Sequence, residues 1–196
     1  FLIAMLALEH TAKLTVATSV ALAFPRSPTV VAYSAWDLQA MSGGRFCLGL
    51  GSQVKGNVVG RFSTQWAAPV SRMRDYVDAL RALWRCWQDN TPLDFKSTHY
   101  RLDRMQPYFN PGPIKHPEIP VFLGAISPRM MALAGESAEL LLAYITGHRT
   151  AVLVGPSGAG KSTLINGLLG EQRQATREVR VGDTLTTRVG PASEPL

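Results

Sequence analysis

Apolar runs typical of buried strands alternate with amphipathic stretches typical of helices. Runs of β-branched and small apolar residues predict strands at 14–22, 45–50 and 119–124. Apolar residues spaced by three and four predict helices over 29–41, from Pro69 to just before Asp89, and over 128–136. Strands that alternate with helices are typical of parallel βαβ units. We therefore expect an α/β fold.

The helix that begins at Pro69 has the clearest apolar stripe in the sequence. Its stripe consists of Met73, Val77, Leu80, Trp84 and Trp87. Aromatic residues on such a stripe are more often part of a core than a platform for a cofactor. We expect both tryptophans to lie in the core.

A second βα unit begins at Thr150. Residues 151–154 read as a strand, a glycine-rich loop follows over 155–161, and residues 162–169 read as a helix. The loop matches the pattern GxxxxGK[ST], in which backbone N–H groups at a helix N-terminus bind phosphate oxygens. Lys161 would neutralise phosphate charge, and the Ser162 hydroxyl would ligate Mg²⁺. The predicted nucleotide-binding residues are Gly155, Pro156, Ser157, Gly158, Ala159, Gly160, Lys161, Ser162 and Thr163.

Composition is that of a globular protein, with 196 residues, 46% hydrophobic and 17% charged. This length is too short for a complete (β/α)₈ barrel of about 250 residues. The formal net charge is +6, yet no run of five like charges marks a nucleic-acid-binding arm. A mildly basic surface is the simpler interpretation.

Two features bear on location and metal binding. Cys47 and Cys86 lack the spacing of a zinc site or a disulfide framework, which fits a reducing cytoplasm. Charged residues interrupt the apolar stretch 1–24, so we expect neither a membrane span nor a signal peptide. The sequence has four histidines, and none has a carboxylate or cysteine at the spacing of a catalytic or metal site. We interpret them as structural or solvated: His10, His99, His116 and His148.

Residues 140–183 resemble the nucleotide-binding segment of the circularly permuted ribosome-assembly GTPases, the EngC/RsgA family. The resemblance rests on LLAYITGHRTAVLVGPSGAGKSTLINGLLGEQRQATREVRVGD and implies GTP and Mg²⁺ as ligands, with the small ribosomal subunit as partner. The family's NKxD and DxxG motifs and its zinc-binding and ribosome-binding portions are absent from this sequence. We therefore expect weak nucleotide binding with little preference for guanine, and a solvated loop at 184–187.

Small residues lie near the ends of the first three predicted strands, at 18–19, 49–53 and 124–127. Parallel α/β folds bind ligands at such strand ends. Glycine after a strand is also ordinary turn chemistry, so spacing alone leaves both interpretations open.

Residues 7–136 are similar to the luciferase-like monooxygenase superfamily, most closely its F420-dependent branch. The resemblance rests on Asp37-Leu38, Ser42, Gly44-Arg45-Phe46, Leu48-Gly-Leu-Gly51 and the later IPVFLGAISPRMMALAGE. It implies a (β/α)₈ barrel that holds F420 or FMN at the carboxyl ends of its strands and exchanges hydride with a small-molecule substrate. The implied cofactor contacts are Thr18, Ser19, Gly49, Gly51, Ser52 and Gln53, with Ser127 as a phosphate contact. Asn57 stands where relatives commonly carry histidine.

Together the two resemblances divide the chain into a partial TIM-type barrel at 1–138 and a P-loop NTPase βα fragment at 139–196. We expect their strands to form two separate sheets. Three hypotheses remain open: an F420- or flavin-dependent oxidoreductase, a functional P-loop GTPase, and a junction of two gene fragments without complete turnover of either. Only about three of eight barrel strands are recognisable, which favours the third hypothesis. Unpaired sheet edges would also allow a homo-oligomer.

Overall fold

Helices and parallel strands alternate in the order that the apolar pattern predicts. The structure is a computed structural model that describes residues 1–125, 127–137, 152–154, 177–181 and 184–188. Its helices are α1 (Leu2–Glu9), α2 (Pro28–Ser42), α3 (Lys55–Gly60), α4 (Pro69–Asp89) and α5 (Pro128–Ser137). Its strands are β1 (Val16–Thr18), β2 (Ala21–Leu22), β3 (Phe46–Gly51), β4 (Phe95–Lys96), β5 (Arg101–Leu102), β6 (Val121–Leu123), β7 (Val152–Val154), β8 (Arg177–Val181) and β9 (Thr184–Arg188).

The main sheet has a parallel centre. In it β6 pairs with β3, β3 with β1, and β1 with β7, all parallel. An antiparallel hairpin of β9 and β8 continues the sheet beyond β7, and β2 adjoins β3. This arrangement confirms the predicted α/β class.

The prediction of two separate sheets is wrong. β7 pairs with β1, and Val152 and Val154 are in register with Val16 and Thr18. The edge of β1 presents backbone N–H and C=O groups that a further strand can pair, whatever the origin of that strand. A buried-strand pattern predicts a strand but not the sheet that it joins. The division of the chain at residue 138 stays a prediction.

A second correction concerns the segment predicted as a solvated loop at 184–187. It lies within β9, which pairs with both β7 and β8. Threonine is common in strands as well as in loops, and pairing with the neighbouring strands decides between the two.

Local sequence signals fix the ends of α2. The Ser27 hydroxyl accepts a hydrogen bond from the Thr29 backbone N–H at 3.3 Å, and Pro28 occupies the first helical position. Gly43 ends the helix in the left-handed region, with φ of 63°. The predicted stop at 42–44 is confirmed.

Contacts divide the chain into two units. The first comprises Phe1–Ala21, Arg45–Gly51 and Pro120–Leu196, and the second comprises Leu22–Gly44 and Ser52–Ile119. In the first unit the Arg45 guanidinium donates hydrogen bonds to the carbonyl oxygens of Leu14 at 2.8 Å and Leu8 at 2.9 Å. These bonds join α1 to the start of β3.

The core of the second unit lies between α2 and α4. The predicted stripe on α4 is buried along its length, including Trp84 and Trp87, which confirms their place in the core. Trp36 on α2 meets the Trp87 ring edge to face, with centroids 5.7 Å apart, and its Nε1 donates to the Gly112 carbonyl at 3.1 Å. An aromatic cluster therefore holds the two helices together.

Several elements were not predicted from the sequence, among them α1, α3, β4, β5 and β8. α1 is apolar at nearly every position, so its sequence has no helical periodicity, and α3 has only six residues. β4 and β5 form a short hairpin inside a proline-rich stretch. Over the residues that the structure describes, no helix is both long and apolar enough to cross a membrane.

Candidate functional site

The carboxyl ends of β1, β3 and β6 meet at one edge of the main sheet. The three strands are parallel, and the backbone N–H of Gly124, just after β6, donates to the Leu50 carbonyl at 2.7 Å. The residues that follow these strands therefore share an edge, as parallel α/β ligand sites do. We call this edge, made of Thr18–Val20, Gly49–Gly51 and Gly124, the carboxyl edge.

Thr18 joins β1 to β3 through its side chain. Its hydroxyl donates to the Gly49 carbonyl at 2.8 Å and accepts from the Gly49 N–H at 2.9 Å. A hydroxyl has one proton and two lone pairs, so only one lone pair remains for another partner. Thr18 thus aligns the two strands, and its predicted contact with a cofactor stays a prediction.

Gly49 is glycine because the chain itself fills the space of a side chain. A Cβ atom there would lie 1.8 Å from the Thr18 carbonyl oxygen and 2.3 Å from the Phe122 ring. Gly49 lies inside β3, so the close packing of the chain explains the glycine without a turn or a bound ligand. Any contact of Gly49 with a cofactor would come from its backbone.

Val20 covers the carboxyl edge, and the sequence analysis did not single it out. The peptide bond between Ser19 and Val20 is cis, and the Ser19 side chain is buried. A Cβ atom on Gly51 would lie 2.5 Å from one Val20 methyl group, and one on Gly124 would lie 3.4 Å from the other. The half-buried Val20 side chain therefore spans the ends of β3 and β6. A β-branched residue directly after Thr-Ser is the signal that could have identified it.

Ser52 and Gln53 belong to the second unit and bond to nearby backbone. The Ser52 hydroxyl donates to the Gln53 carbonyl at 3.1 Å, and Gln53 Oε1 accepts from the Val54 N–H at 2.9 Å. Gln53 has φ of 63°, a left-handed conformation that is uncommon outside glycine. Asn57 lies in α3 and is partly exposed. The roles predicted for Ser52 and Gln53 stay predictions.

Ser127 stands at the start of α5, close after β6. Its hydroxyl accepts from the Met130 backbone N–H at 3.3 Å, which satisfies one of the free donors of the first turn. That turn contains the exposed Arg129 and no acidic residue. The partial positive charge of a helix N-terminus and the Arg129 charge both favour an anion here.

One histidine has a carboxylate partner that sequence spacing did not reveal. His99 Nδ1 lies 2.8 Å from Asp75 Oδ2, and the His99 backbone N–H donates to the same oxygen at 3.1 Å. Burial alone would raise the pKa of Asp75, but hydrogen bonds from His99 and Ser97 outweigh it, so the pKa lies below its usual value. The pair ties the loop between β4 and β5 to α4, and 24 residues separate its members.

The carboxyl edge has no titratable side chain, since it consists of threonine, serine, valine, leucine and glycine. Among the described residues, no group of three or more His, Cys, Asp or Glu side chains could hold a metal ion. Such an edge can hold an uncharged ring but offers no acid or base of its own. The predicted nucleotide-binding residues, 155–163, with Ser162 as the Mg²⁺ ligand, lie outside the described residues.

Comparisons with known proteins match two families over parts of the chain that overlap at residues 123–153. Residues 1–153 match the family model for luciferase-like monooxygenases, and residues 123–188 match the family model for the RsgA GTPase. The uncharacterized protein Rv1360 of Mycobacterium tuberculosis (strain ATCC 25618 / H37Rv) is 45% identical over 139 residues, which are 71% of this chain and 41% of that protein. The putative coenzyme F420-dependent oxidoreductase Rv3520c of the same organism is 35% identical over 143 residues, which are 67% of this chain and 39% of that protein.

The relative of the second segment covers less of the chain. The small ribosomal subunit biogenesis GTPase RsgA of Xanthomonas campestris pv. campestris (strain B100) is 55% identical over 49 residues, which are 25% of this chain and 14% of that protein. The chain spans about two fifths of the length of the luciferase-like relatives.

Solved structures share the fold at low sequence identity. The coenzyme F420-dependent tetrahydromethanopterin reductase from Methanopyrus kandleri superposes with a TM-score of 0.55 at 19% identity, over 68% of this chain and 41% of that one. EDTA monooxygenase from Chelativorans sp. BNC1 gives a TM-score of 0.55 at 12% identity, over 100% of this chain and 59% of that one. Together with the family match, these likenesses confirm the predicted luciferase-like barrel class.

Proposed function

Because the chain belongs to the luciferase-like monooxygenase family, we propose that it binds F420 or FMN at the carboxyl edge and serves as an oxidoreductase unit. The observation that carries this proposal is the position of Val20. Its methyl groups form an apolar surface over Gly51 and Gly124, which carry no side chains of their own. An apolar surface beside backbone polar groups is typical of sites for aromatic cofactors.

The residues present fit such a cofactor in two places. Val20 would contact one face of the ring, and the backbone at Gly51 and Gly124 would contact its polar edge. Ser127 and the first turn of α5 would bind a phosphate group, because the positive end of the helix and the Arg129 charge favour an anion there. When bound, F420 or flavin supplies hydride transfer, while these residues orient the ring and exclude water from one face.

The name of one relative favours F420 over flavin. Rv3520c is described as a putative coenzyme F420-dependent oxidoreductase, and this chain is 35% identical to it over 143 residues. Flavin remains the alternative, since FMN also combines a tricyclic ring with a phosphate. The substrate that would exchange hydride with the cofactor is a small molecule.

We expect Val20→Asp to weaken F420 and FMN binding at least about tenfold, equivalent to about 1.4 kcal/mol. The carboxylate would replace the apolar surface and repel the phosphate-bearing cofactor. Fluorescence titration of wild type and variant with each cofactor measures the two dissociation constants. Comparison of FMN with riboflavin then reports the contribution of the phosphate.

The matched control is Val30→Asp, which makes the same chemical change at an exposed position of α2. Val30→Asp should bind both cofactors as wild type does. If circular dichroism shows that Val20→Asp does not fold, Val20→Ala takes its place, because it removes the methyl groups without adding charge. Unchanged affinity in both folded Val20 variants would contradict the proposed site, and failure of wild type to bind either cofactor would contradict the function.

A second candidate function is nucleotide binding through residues 155–163. It is supported by β7, a strand that ends directly before Gly155, as the phosphate-binding motif requires. The match of residues 123–188 to the RsgA GTPase gives further support, with GTP and Mg²⁺ as ligands. An association with the small ribosomal subunit, for which the Xanthomonas relative is named, stays a prediction.

Lys161→Ala should abolish nucleotide binding, whereas wild type should bind GTP and ATP weakly and about equally. Removal of the lysine costs on the order of 1 to 3 kcal/mol, the usual value of a charge-assisted hydrogen bond. Calorimetric titration with Mg²⁺ and each nucleotide tests this expectation. Submicromolar GTP affinity with rejection of ATP would contradict it, because no NKxD motif is present to read guanine.

A further inference from the structure

Arg72 on α4 is a half-buried cation that is held in place without a carboxylate partner. Its guanidinium lies over the Phe24 ring, 4.5 Å from the centroid, and its Nε donates to the Tyr100 hydroxyl at 3.1 Å. Its Nη1 donates to a backbone carbonyl at 2.7 Å. Asp75, one turn further along the helix, binds His99 instead, and no ion pair among the described residues includes Arg72. These contacts fix a positive charge that no described carboxylate neutralises.

Two phenol groups beside this guanidinium have protons to donate. The Tyr100 hydroxyl accepts the bond from Arg72, and no described residue accepts its own proton. The Tyr76 side chain is fully buried, and its hydroxyl has no hydrogen-bond partner among the described residues. The two rings meet edge to face, with centroids 5.6 Å apart. Because a buried donor without an acceptor is costly, this arrangement favours an acceptor that the described chain does not supply.

A second guanidinium adds positive charge to the same place. Arg26 is exposed, and among the described residues it donates only to the Leu22 carbonyl, through Nη1 at 2.9 Å. Burial raises the pKa of Tyr76, and the charges of Arg26 and Arg72 act on the same phenol in the opposite direction. Both guanidinium groups are therefore within electrostatic reach of its hydroxyl. We call Arg26, Arg72, Tyr76 and Tyr100, which all belong to the second unit, the arginine–tyrosine cluster.

We propose that the arginine–tyrosine cluster binds an oxyanion, the carboxylate or phosphate group of a small molecule. Each of its side chains is a hydrogen-bond donor, and burial raises the pKa of both phenols, so they keep their protons at neutral pH. The planar fork of a guanidinium matches two oxygens of a carboxylate or a phosphate. Arg72 would bind the anion directly, the two phenols would donate to it, and Arg26 would add charge.

An anion can approach this site from solvent. Arg72 and Tyr100 are only half-buried, and Arg26 is exposed. The Phe24 ring supports the guanidinium from one side, and Trp66 meets Phe24 edge to face with centroids 5.8 Å apart. The aromatic rings therefore hold Arg72 in one orientation before the ligand arrives, which lowers the entropic cost of binding. The inference goes beyond the proposed function, because it requires neither F420 nor FMN.

The test follows the arginine Nε–H signals by NMR in the full ¹⁵N-labelled chain, during titration with inorganic phosphate and separately with benzoate. The Arg72 signal is the one missing from the spectrum of Arg72→Lys, or of Arg72→Gln if the lysine variant does not fold. We expect this signal to shift saturably with phosphate or benzoate, and not with chloride at equal ionic strength. The anion with the lower dissociation constant identifies the bound group as a phosphate or a carboxylate.

Variants of the other members of the cluster test their roles through the same signal. Tyr76→Phe and Tyr100→Phe should each raise the dissociation constant about threefold or more, the usual effect of one lost hydrogen bond. Arg26→Gln should raise it as well, most strongly at low salt. The matched control is Arg85→Gln, which removes an exposed arginine from a later turn of α4 and should leave the constant unchanged.

Three results would overturn the proposed anion site. They are a failure of both anions to shift the Arg72 signal, an equal shift with chloride, and an unchanged dissociation constant in both phenylalanine variants. None of these results bears on the carboxyl edge, because no cofactor is present in the titration. A failure of F420 and FMN to bind would contradict the proposed function and leave the anion site standing.

Discussion

Replacing Gly49 with alanine is expected to lower the free energy of unfolding by about 3 to 5 kcal/mol, or to prevent folding. The new methyl carbon would lie 1.8 Å from the Thr18 carbonyl oxygen and 2.3 Å from the Phe122 ring. The nearest atom, the Thr18 carbonyl oxygen, belongs to the backbone and cannot rotate aside as a flexible side chain can. Relief requires β1 to move away from β3, and this movement would break the two hydrogen bonds between Thr18 and Gly49.

Equilibrium urea unfolding followed by circular dichroism measures this loss. Gly124→Ala is the matched control, because its methyl group would lie 3.4 Å from Val20 and 3.6 Å from the Leu50 carbonyl oxygen, which are ordinary contacts. We expect this control to change stability by less than about 1 kcal/mol. Equal stability of the two variants would show that β1 and β3 do not approach each other as described.

Replacing Trp87 with alanine is the second large expected effect, about 3 to 5 kcal/mol of stability lost. The indole is fully buried between α2 and α4, stacked on Tyr33 with centroids 4.6 Å apart and in edge contact with Trp36. Its removal leaves a cavity that the surrounding rings cannot fill without losing their own packing. Equilibrium urea unfolding of the variant and of wild type measures this change in the free energy of unfolding.

Trp87→Phe separates packing from hydrogen bonding in the same position. Trp87 Nε1 has no hydrogen-bond partner among the described residues, whereas Trp36 Nε1 bonds to Gly112. Phenylalanine keeps an aromatic ring and removes a buried donor that makes no bond, so we expect a loss below about 1.5 kcal/mol. A loss as large as that of Trp87→Ala would mean that the indole N–H contributes to stability after all.

The sequence determined the elements whose signals are local. Ser27, Pro28 and Gly43 mark both ends of α2, and the stripe that includes Trp84 and Trp87 gave the length and buried face of α4. Family resemblance added the luciferase-like fold and the RsgA segment, which the family matches confirm. The residues after β1, β3 and β6 were recognised as a candidate site because parallel strands end at one edge.

Only the tertiary structure shows which residues far apart in the sequence contact each other. Gly49 looked like a ligand contact, yet Thr18 and Phe122, remote in sequence, occupy the space of its side chain. Asp75 and His99 pair across 24 residues, a separation at which spacing carries no signal. The strand 152–154, which the sequence pattern placed with the GTPase-like segment, pairs with β1, because a sheet edge pairs through backbone groups that every residue carries. Side-chain patterns specify which segments form strands, but hydrogen bonding of the backbone is indifferent to sequence, so only the assembled sheet shows their neighbours.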